Sequence, residues 1–340
     1  MVNFPTNIPF HLFTSCIIVK GFKRSCIYDL QRGNFEYIPN SLYDILIDNS
    51  RSLTYDELLK LYSTTEDKKK ISDYFSFLYK EEFIFFSNLE KTFFPNYKLS
   101  FFKPYRVSSL ILDILDFNFE QLLNIKNNIN LVKVECLLLR FLSSDYELIL
   151  KVLDFFDDIS TRTIQLIINN EVKINDTQIE NIFESNNRTS LIIKIDNKEY
   201  SKEFSKGYLV CTKLDLFKDR EKINDISDFI PNLDLYIESV SFNTFYNKRF
   251  YINYLGEIFR HENDKKSFGN INLISLEDIL VKRSFKKYWR IKKDNILVCK
   301  DCEYRYMCTD SRLPLYKNQD GFWVLEGDCY YNPYLAQWND

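Results

Sequence analysis

Four cysteines near the C-terminal end constrain this chain more than any other feature. They stand as Cys299-x2-Cys302-x5-Cys308-x20-Cys329. Three soft ligands close together, with a fourth on a returning segment, form the pattern of one tetrahedral sulfur site. The chain between the first three and just beyond, CKDCEYRYMCTDSRLP, is polar and aromatic. That suits a loop wrapped around a metal better than an apolar core burying free thiols. Disulfides would require a secreted protein. The N-terminus, MVNFPTNIPFHLFTSCIIVKGFKRS, carries no basic leader before its apolar stretch, which is unlike a signal peptide. The expectation is a cytoplasmic protein whose Cys299, Cys302, Cys308 and Cys329 hold one metal centre.

Other features narrow the chemistry. A chain of 340 residues has room for two or three domains. Its net charge of −3, with both signs interspersed, indicates neither a nucleic-acid nor an anionic-membrane partner. No apolar run reaches the length of a membrane span. With 7 glycines and neither a G-x-G-x-x-G nor a P-loop, backbone cradling of a nucleotide phosphate is not expected. The only histidines are His11 and His261, which leaves little for imidazole catalysis.

Along the chain, Leu12–Val19, Cys26–Leu30 and Phe35–Ile38 read as a small antiparallel sheet, with turns at Lys20–Lys23 and Arg32–Asn34. Helices follow at Ser41–Ile47, at Tyr55–Tyr62 behind a Thr54/Glu57 capping box, and at Asp67–Tyr79, before a short strand Phe83–Phe86. This is a winged-helix-like domain over residues 1–90, and Pro95 and Pro104 mark the linker out of it. An α/β region over 105–240 follows. Strands are expected at Val107–Ile114, Leu131–Phe141, Arg162–Ile168, Ser190–Ile195, Tyr208–Thr212 and Leu233–Glu238. Helices at Phe119–Asn127, Tyr146–Phe156 and Asp176–Ser185 alternate with several of them, which implies a mostly parallel sheet or partial barrel. Charged residues near its strand ends, Asp113, Asp116, Arg140 and Asp145, read as scattered solvated side chains. Residues 241–340 open with a hairpin turning at Gly256, continue through a helix at Leu276–Lys282, and end in the cysteine-rich stretch.

The C-terminal third resembles the SPASM domain, the iron–sulfur extension of peptide-modifying radical SAM enzymes. The likeness runs from Arg249 to Trp338 and includes Phe250–Ile258, Gly269-Asn270-Ile271 and the cysteine block. The family's block reads C-x2-C-x5-C-x3-C, but the position that closes the three-residue gap after Cys308 holds Arg312. The upstream hairpin offers Arg260-His261-Glu262 in place of further cysteines. The resemblance therefore implies that one 4Fe-4S cluster survives on Cys299, Cys302, Cys308 and Cys329, with Zn²⁺ as the alternative for four thiolates. His261 is not expected to join that centre. The middle region stands where the radical SAM barrel belongs, but no C-x3-C-x2-C follows Val107–Ile114, and Arg140-Phe-Leu-Ser-Ser-Asp145 replaces the usual Gly-Gly-Glu. A degenerate barrel that neither binds nor cleaves S-adenosylmethionine is implied.

Over most of its length the chain resembles the SPASM-domain proteins of grasp-with-spasm systems. The matching stretches are Cys26–Arg32, Tyr37–Asn40, Lys300–Arg312 and Tyr331–Tyr334. That resemblance implies an accessory protein for a ribosomally synthesised, modified peptide (a graspetide), working beside an ATP-grasp ligase. The N-terminal domain is similar to PqqD-type recognition elements. By strand addition, Asn34, Phe35, Glu36, Tyr37 and Ile38, with Tyr74 on the third helix, would bind the precursor's leader while its core is presented to the ligase. The other reading is a metal-dependent peptide-modifying enzyme with an unrecognised active site, so whether the chain is itself an enzyme stays open here. A homodimer is compatible with either.

Overall fold

In the computed structural model, residues 4–48, 53–94, 96–143, 145–169, 174–216 and 225–339 are described; Pro95 and Ser144 lie outside them. The chain opens with β1 (Phe10–Leu12), β2 (Cys16–Lys20), β3 (Ser25–Asp29) and β4 (Asn34–Ile38). Next come α1 (Asn40–Asp48), α2 (Tyr55–Lys60), α3 (Thr65–Lys80) and β5 (Ile84–Phe86). Strands β2, β3 and β4 form a three-stranded antiparallel sheet with β3 in the middle. The apolar stretch from Leu12 to Val19 is not one strand as expected. A turn at Thr14–Ser15 splits it, and β1 pairs with β5 instead. The Thr54/Glu57 capping box is present, and Thr64 caps α3. Inward-facing Ile71, Phe75 and Leu78 of α3 pack on Phe10, Ile27, Ile38, Leu42 and Leu58. Spacings of three and four residues put those α3 side chains on one helical face, where burial contributes about 2 kcal/mol each.

The middle of the chain alternates as read. It runs β6 (Val107–Ile114), α4 (Phe119–Val132), β7 (Val134–Phe141), α5 (Tyr146–Phe155), β8 (Thr163–Ile168), α6 (Asp176–Ser185), β9 (Thr189–Ile195), β10 (Tyr200–Glu203) and β11 (Tyr208–Thr212). The β7 strand starts later than Leu131 because α4 continues to Val132 and ends on Lys133 in a left-handed conformation, φ 57°. Leu233–Glu238, expected as a strand, is helical: α7 spans Leu233–Ser241. Asn232 caps it by accepting from the Leu235 amide, and the buried Tyr236 and Ser239 recur at helical spacing. Then follow β12 (Arg249–Ile252), β13 (Ile258–Phe259) and α8 (Leu276–Val281).

These strands make one eight-stranded sheet in the order β10-β11-β9-β8-β7-β6-β12-β13. From β11 to β12 every neighbour is parallel, and only the edges β10 and β13 are antiparallel. Leu110, Leu112, Leu137, Leu139, Ile164 and Leu166 face a core shared with α4, α5, α6 and α8. Alternate residues Ile111, Leu138, Ile167 and Tyr251 form a separate cluster on the opposite face. The mixed α/β class with a parallel sheet is thus realised, with helices gathered against one sheet face.

The C-terminal stretch contains β14 (Pro314–Lys317), β15 (Trp323–Leu325), β16 (Tyr331–Asn332) and β17 (Gln337–Trp338), paired as two small ladders. Two compact units result. One comprises Met1–Phe101, Ile223–Thr244 and Ile291–Asp340, the other Phe102–Lys222 and Phe245–Arg290. The sequence reading set residues 1–90 and 241–340 apart as separate domains. Residues 1–90 and 291–340 fall in the same unit, within which Arg24 contacts Glu303 across 279 residues of sequence. No helix of the described residues is long and apolar enough to cross a membrane.

Candidate functional site

Short 3-10 turns at Lys293–Asn295 and Cys299–Asp301 bring the first cysteines into place. The Cys302 amide donates to the Cys299 carbonyl (3.1 Å), the Met307 amide to Tyr304 (3.0 Å), and the Thr244 hydroxyl ties down the Cys308 carbonyl (2.7 Å). The β14–β15 hairpin then returns the chain to Cys329. As a result Cys299, Cys302, Cys308 and Cys329 all line one small cavity, of about 30 Å³, together with Lys293 and Arg312. The Tyr304 amide donates to Cys302 Sγ at 3.4 Å. Burial pushes Cys299 up to about 12 and raises Cys302 and Cys308 as well. Without a cation, these thiols therefore hold their protons.

Lys293 is 2% exposed, with Nζ 3.3 Å from Asp310 Oδ2, and Arg312 grips the same carboxylate at 2.8 Å. Burial works against the ammonium, but Asp310 and then Cys308 and Cys299 outweigh it and raise the Lys293 pKa. Burial also opposes the Asp310 charge, yet Lys293 and Arg312 hold that carboxyl well below the usual range. The donor set is all thiol, closed and flanked by two cations. By donor type alone it suits a thiolate-held dication or iron–sulfur core, whose net negative charge the two cations would offset. No group of three or more His, Cys, Asp or Glu side chains among the described residues is gathered for a single metal ion. His261 is not among the residues lining the cavity. It is buried against Tyr246 and Phe245, its Nδ1 accepts from the Asn263 amide, and burial lowers its pKa.

The strand-end charges differ from the sequence reading. Asp113 and Arg140 are opposite each other in the β6–β7 register and are 5% and 3% exposed. Arg140 Nε and Nη2 clasp the Asp113 carboxylate at 2.6 and 2.9 Å, and Nη1 reaches Glu262 at 3.1 Å. The Tyr251 hydroxyl donates to Asp113 Oδ2 at 2.7 Å. Asp113, Arg140 and Tyr251 lie near the carboxyl ends of their parallel strands, on the face away from the helices, where such sheets carry their sites. The period-2 alternation that buries Ile111 and Leu138 turns Asp113 and Arg140 to that face. Asp116 and Asp145 are exposed as read, and Asp145 caps α5.

The five β4 residues separate by face. Asn34 and Glu36 are exposed, while Phe35 and Tyr37 lie half-buried against Tyr304. Ile38 and Tyr74 belong instead to the small domain's own core. Hydrogen-bond alternation settles the backbone. The Leu30 amide donates to Ser15 and the Gly33 amide to Asp29, so Cys26 and Tyr28 bond toward β2 while Ile27 and Asp29 bond toward β4. Their partners Glu36 and Asn34 therefore bond inward, and the backbone groups of Phe35 and Tyr37 face the outer edge. Among the described residues β4 pairs with β3 alone.

Sequence reasoning missed the groups joining this sheet to the cysteine loop. Arg24 Nε donates to Glu303 Oε1 at 2.7 Å, and the Tyr28 and Tyr331 hydroxyls donate to the Glu303 carbonyl and Oε1. Tyr37 and Tyr304 share a hydroxyl–hydroxyl bond. The available signal was the charge-rich, aromatic string between Cys299 and Cys308, which a metal loop alone does not require.

No protein-family model and no curated protein matches the chain. Among solved structures, the heterocyclase TruD aligns at 10% identity and TM-score 0.21, over 43% of this chain and 23% of that one; the match thus spans under a quarter of TruD. Streptococcus suis SuiB aligns at 10% identity and TM-score 0.28, over 100% of this chain and 99% of that one. SuiB bound to S-adenosylmethionine aligns at 10% identity and TM-score 0.24, over 91% and 95%. At these scores the likeness is too distant to define the fold.

Proposed function

We propose that this chain is a maturation protein for a ribosomally made peptide, of the grasp-with-spasm kind, that binds its precursor rather than performing radical chemistry. The PqqD-like domain over 1–90 takes the leader as an added strand on β4. The remainder presents the core to an ATP-grasp ligase, a partner that rests on the sequence resemblance alone. The SPASM-like end holds a metal centre on Cys299, Cys302, Cys308 and Cys329. The observation that carries the reading is the outward backbone of Phe35 and Tyr37 on an edge with no strand partner among the described residues. Such an edge supplies main-chain bonds for affinity.

The resemblance favours a 4Fe-4S cluster on these cysteines, with Zn²⁺ as the alternative, since four thiolates suit either. All four cysteines line one cavity. When bound, the cluster would stabilise the fold and could carry an electron. Lys293 and Arg312 would offset its negative charge. The Asp113–Arg140–Tyr251–Glu262 cluster fills the strand ends where a barrel enzyme keeps its reacting groups, which favours binding over catalysis. Anaerobic, reconstituted and reduced protein is accordingly expected to release no 5′-deoxyadenosine from S-adenosylmethionine above a no-protein control. Production of that nucleoside would restore the radical reading.

The edge mechanism is tested with the full-length chain and a synthetic precursor peptide, taken from a neighbouring reading frame as the resemblance implies. Phe35→Pro removes an outward N–H and spares the inward ladder. It is expected to weaken binding in calorimetric titration at least about tenfold more than Phe35→Ala, a single charge-free donor plus its neighbour geometry being worth about 1.5 kcal/mol. Glu36→Pro should instead disrupt the ladder to Ile27 and lower thermal stability. Equal losses for Phe35→Pro and Phe35→Ala, with both folds intact by circular dichroism, would reject strand addition.

A further inference from the structure

The cysteine loop does not simply lie near the recognition sheet; its backbone and side chains are bonded into it. The Phe22 amide, in the β2–β3 turn, donates to the Asp301 carbonyl at 2.8 Å, and Arg305 Nη1 donates to the Lys20 carbonyl at 2.6 Å. Between those two contacts Glu303 receives Arg24 and Tyr28, and Tyr304 meets Phe35 and Tyr37. Every one of these loop residues neighbours Cys302 closely in sequence. Glu303 and Tyr304 are both 0% exposed. Gly21 permits the approach: a Cβ there would stand 3.0 Å from Glu303 Cβ and 2.4 Å from the Arg24 carbonyl.

We infer that the four-thiol centre is the fastener of the recognition strand: a metal centre bound through Cys302 orders Asp301–Arg305, and that segment holds β3 and β4 in the form that accepts a peptide. The inference rests on the reading of the four cysteines as a metal site. Its physical content is a linkage. Without a metal centre, nothing cross-links Cys302 to Cys329 across the cavity that both line. The residues that fill the inner side of β4 are then free to move. With metal, the loop is tied at both ends and from the returning segment. Whatever free energy the ordered loop contributes to β4, a peptide added at that edge must return to metal affinity.

The test needs no peptide. Full-length protein is prepared metal-free with a chelator, and loaded anaerobically with iron and sulfide or with Zn²⁺. Amide hydrogen exchange is followed by mass spectrometry, with metal and sulfide content measured on the same samples. Loading is expected to slow exchange at the inward-bonded amides of Glu36 and Ile38 by about tenfold, within the usual range of coupling between sites. The β7 amides (Val134–Phe141), in the other unit, are expected to stay unchanged. In the Tyr28→Phe/Tyr37→Phe variant, which keeps the rings and removes two hydroxyls, metal content should match the parent while the slowing at β4 falls below about threefold. Equal β4 exchange with and without a confirmed metal load overturns the linkage but leaves the metal site standing. Equal slowing at β4 and β7 also overturns it, since the effect would then be general. A double variant that behaves as the parent overturns the route through Glu303 and Tyr304. Failure to load metal at all removes the metal reading and the linkage with it.

Discussion

Cys302→Ala is expected to empty the four-thiol cavity and to melt the compact unit built from Met1–Phe101, Ile223–Thr244 and Ile291–Asp340 well below the loaded parent. The reason is the kind of structure around the centre. Among the described residues from Ile291 onward, the regular elements are short 3-10 turns and strands of two to four residues. Few of their backbone bonds are shared with a regular element, so the cross-link supplies much of their order. Structural thiolate sites in small domains bind their metal with about 10 kcal/mol or more, and that binding is folding free energy. Here β2–β4 and α1–α3 have a core of their own, so only part of it should be lost. A fall of about 3 kcal/mol or more is expected, a drop in Tm of about 6–12 °C for a unit of this size. Cys299→Ala and Cys308→Ala should do the same, and Cys329→Ala should show that the returning segment belongs to the centre. Calorimetry with metal analysis checks this. If each variant keeps its metal content and its Tm, the four cysteines are not ligands of one site.

Arg140→Met is expected to destabilise the other unit by about 3–5 kcal/mol, the usual cost of stripping one partner from a buried ion pair. Among the described residues it leaves Asp113, 5% exposed, with the Tyr251 hydroxyl, and it removes the Arg140 contact from Glu262. The companion change is more informative. Arg140→Met/Asp113→Leu removes both buried charges, and apolar replacements of similar volume are often neutral or better. Most of the loss should therefore return, giving a coupling energy of about 2 kcal/mol or more in a double-mutant cycle. Urea unfolding monitored by circular dichroism measures it. A single variant that costs less than about 1 kcal/mol would mean that the pair is effectively solvated and that the strand ends remain open to a ligand.

Both expectations concern groups whose weight comes from their neighbours, and this separates what could be read early from what could not. The cysteine spacing, the Thr54/Glu57 capping box, the α3 stripe of Ile71, Phe75 and Leu78, and the alternation of β6 through β9 with helices were all legible. Each is set by residues within one turn or one pleat of one another, where spacing fixes direction. Leu233–Glu238 reads as a strand because its apolar run is short enough for either period; the Asn232 cap decides for helix. The split of Leu12–Val19 was likewise hidden, since β1 turns away to pair with β5, more than seventy residues along.

By itself, then, the sequence determined the spacing of the four cysteines, the α/β class, and the absence of a cysteine triad after Val107–Ile114. Only the tertiary structure decided that Asp113 and Arg140 form one buried pair, that Phe35 and Tyr37 turn their backbone outward, and that Glu303 and Tyr304 seat against β3 and β4. The physical reason is the same in each case. Strand register and loop closure bring together groups 27 to 279 residues apart, and the free energy of those contacts depends on burial that neither partner carries in its own local sequence.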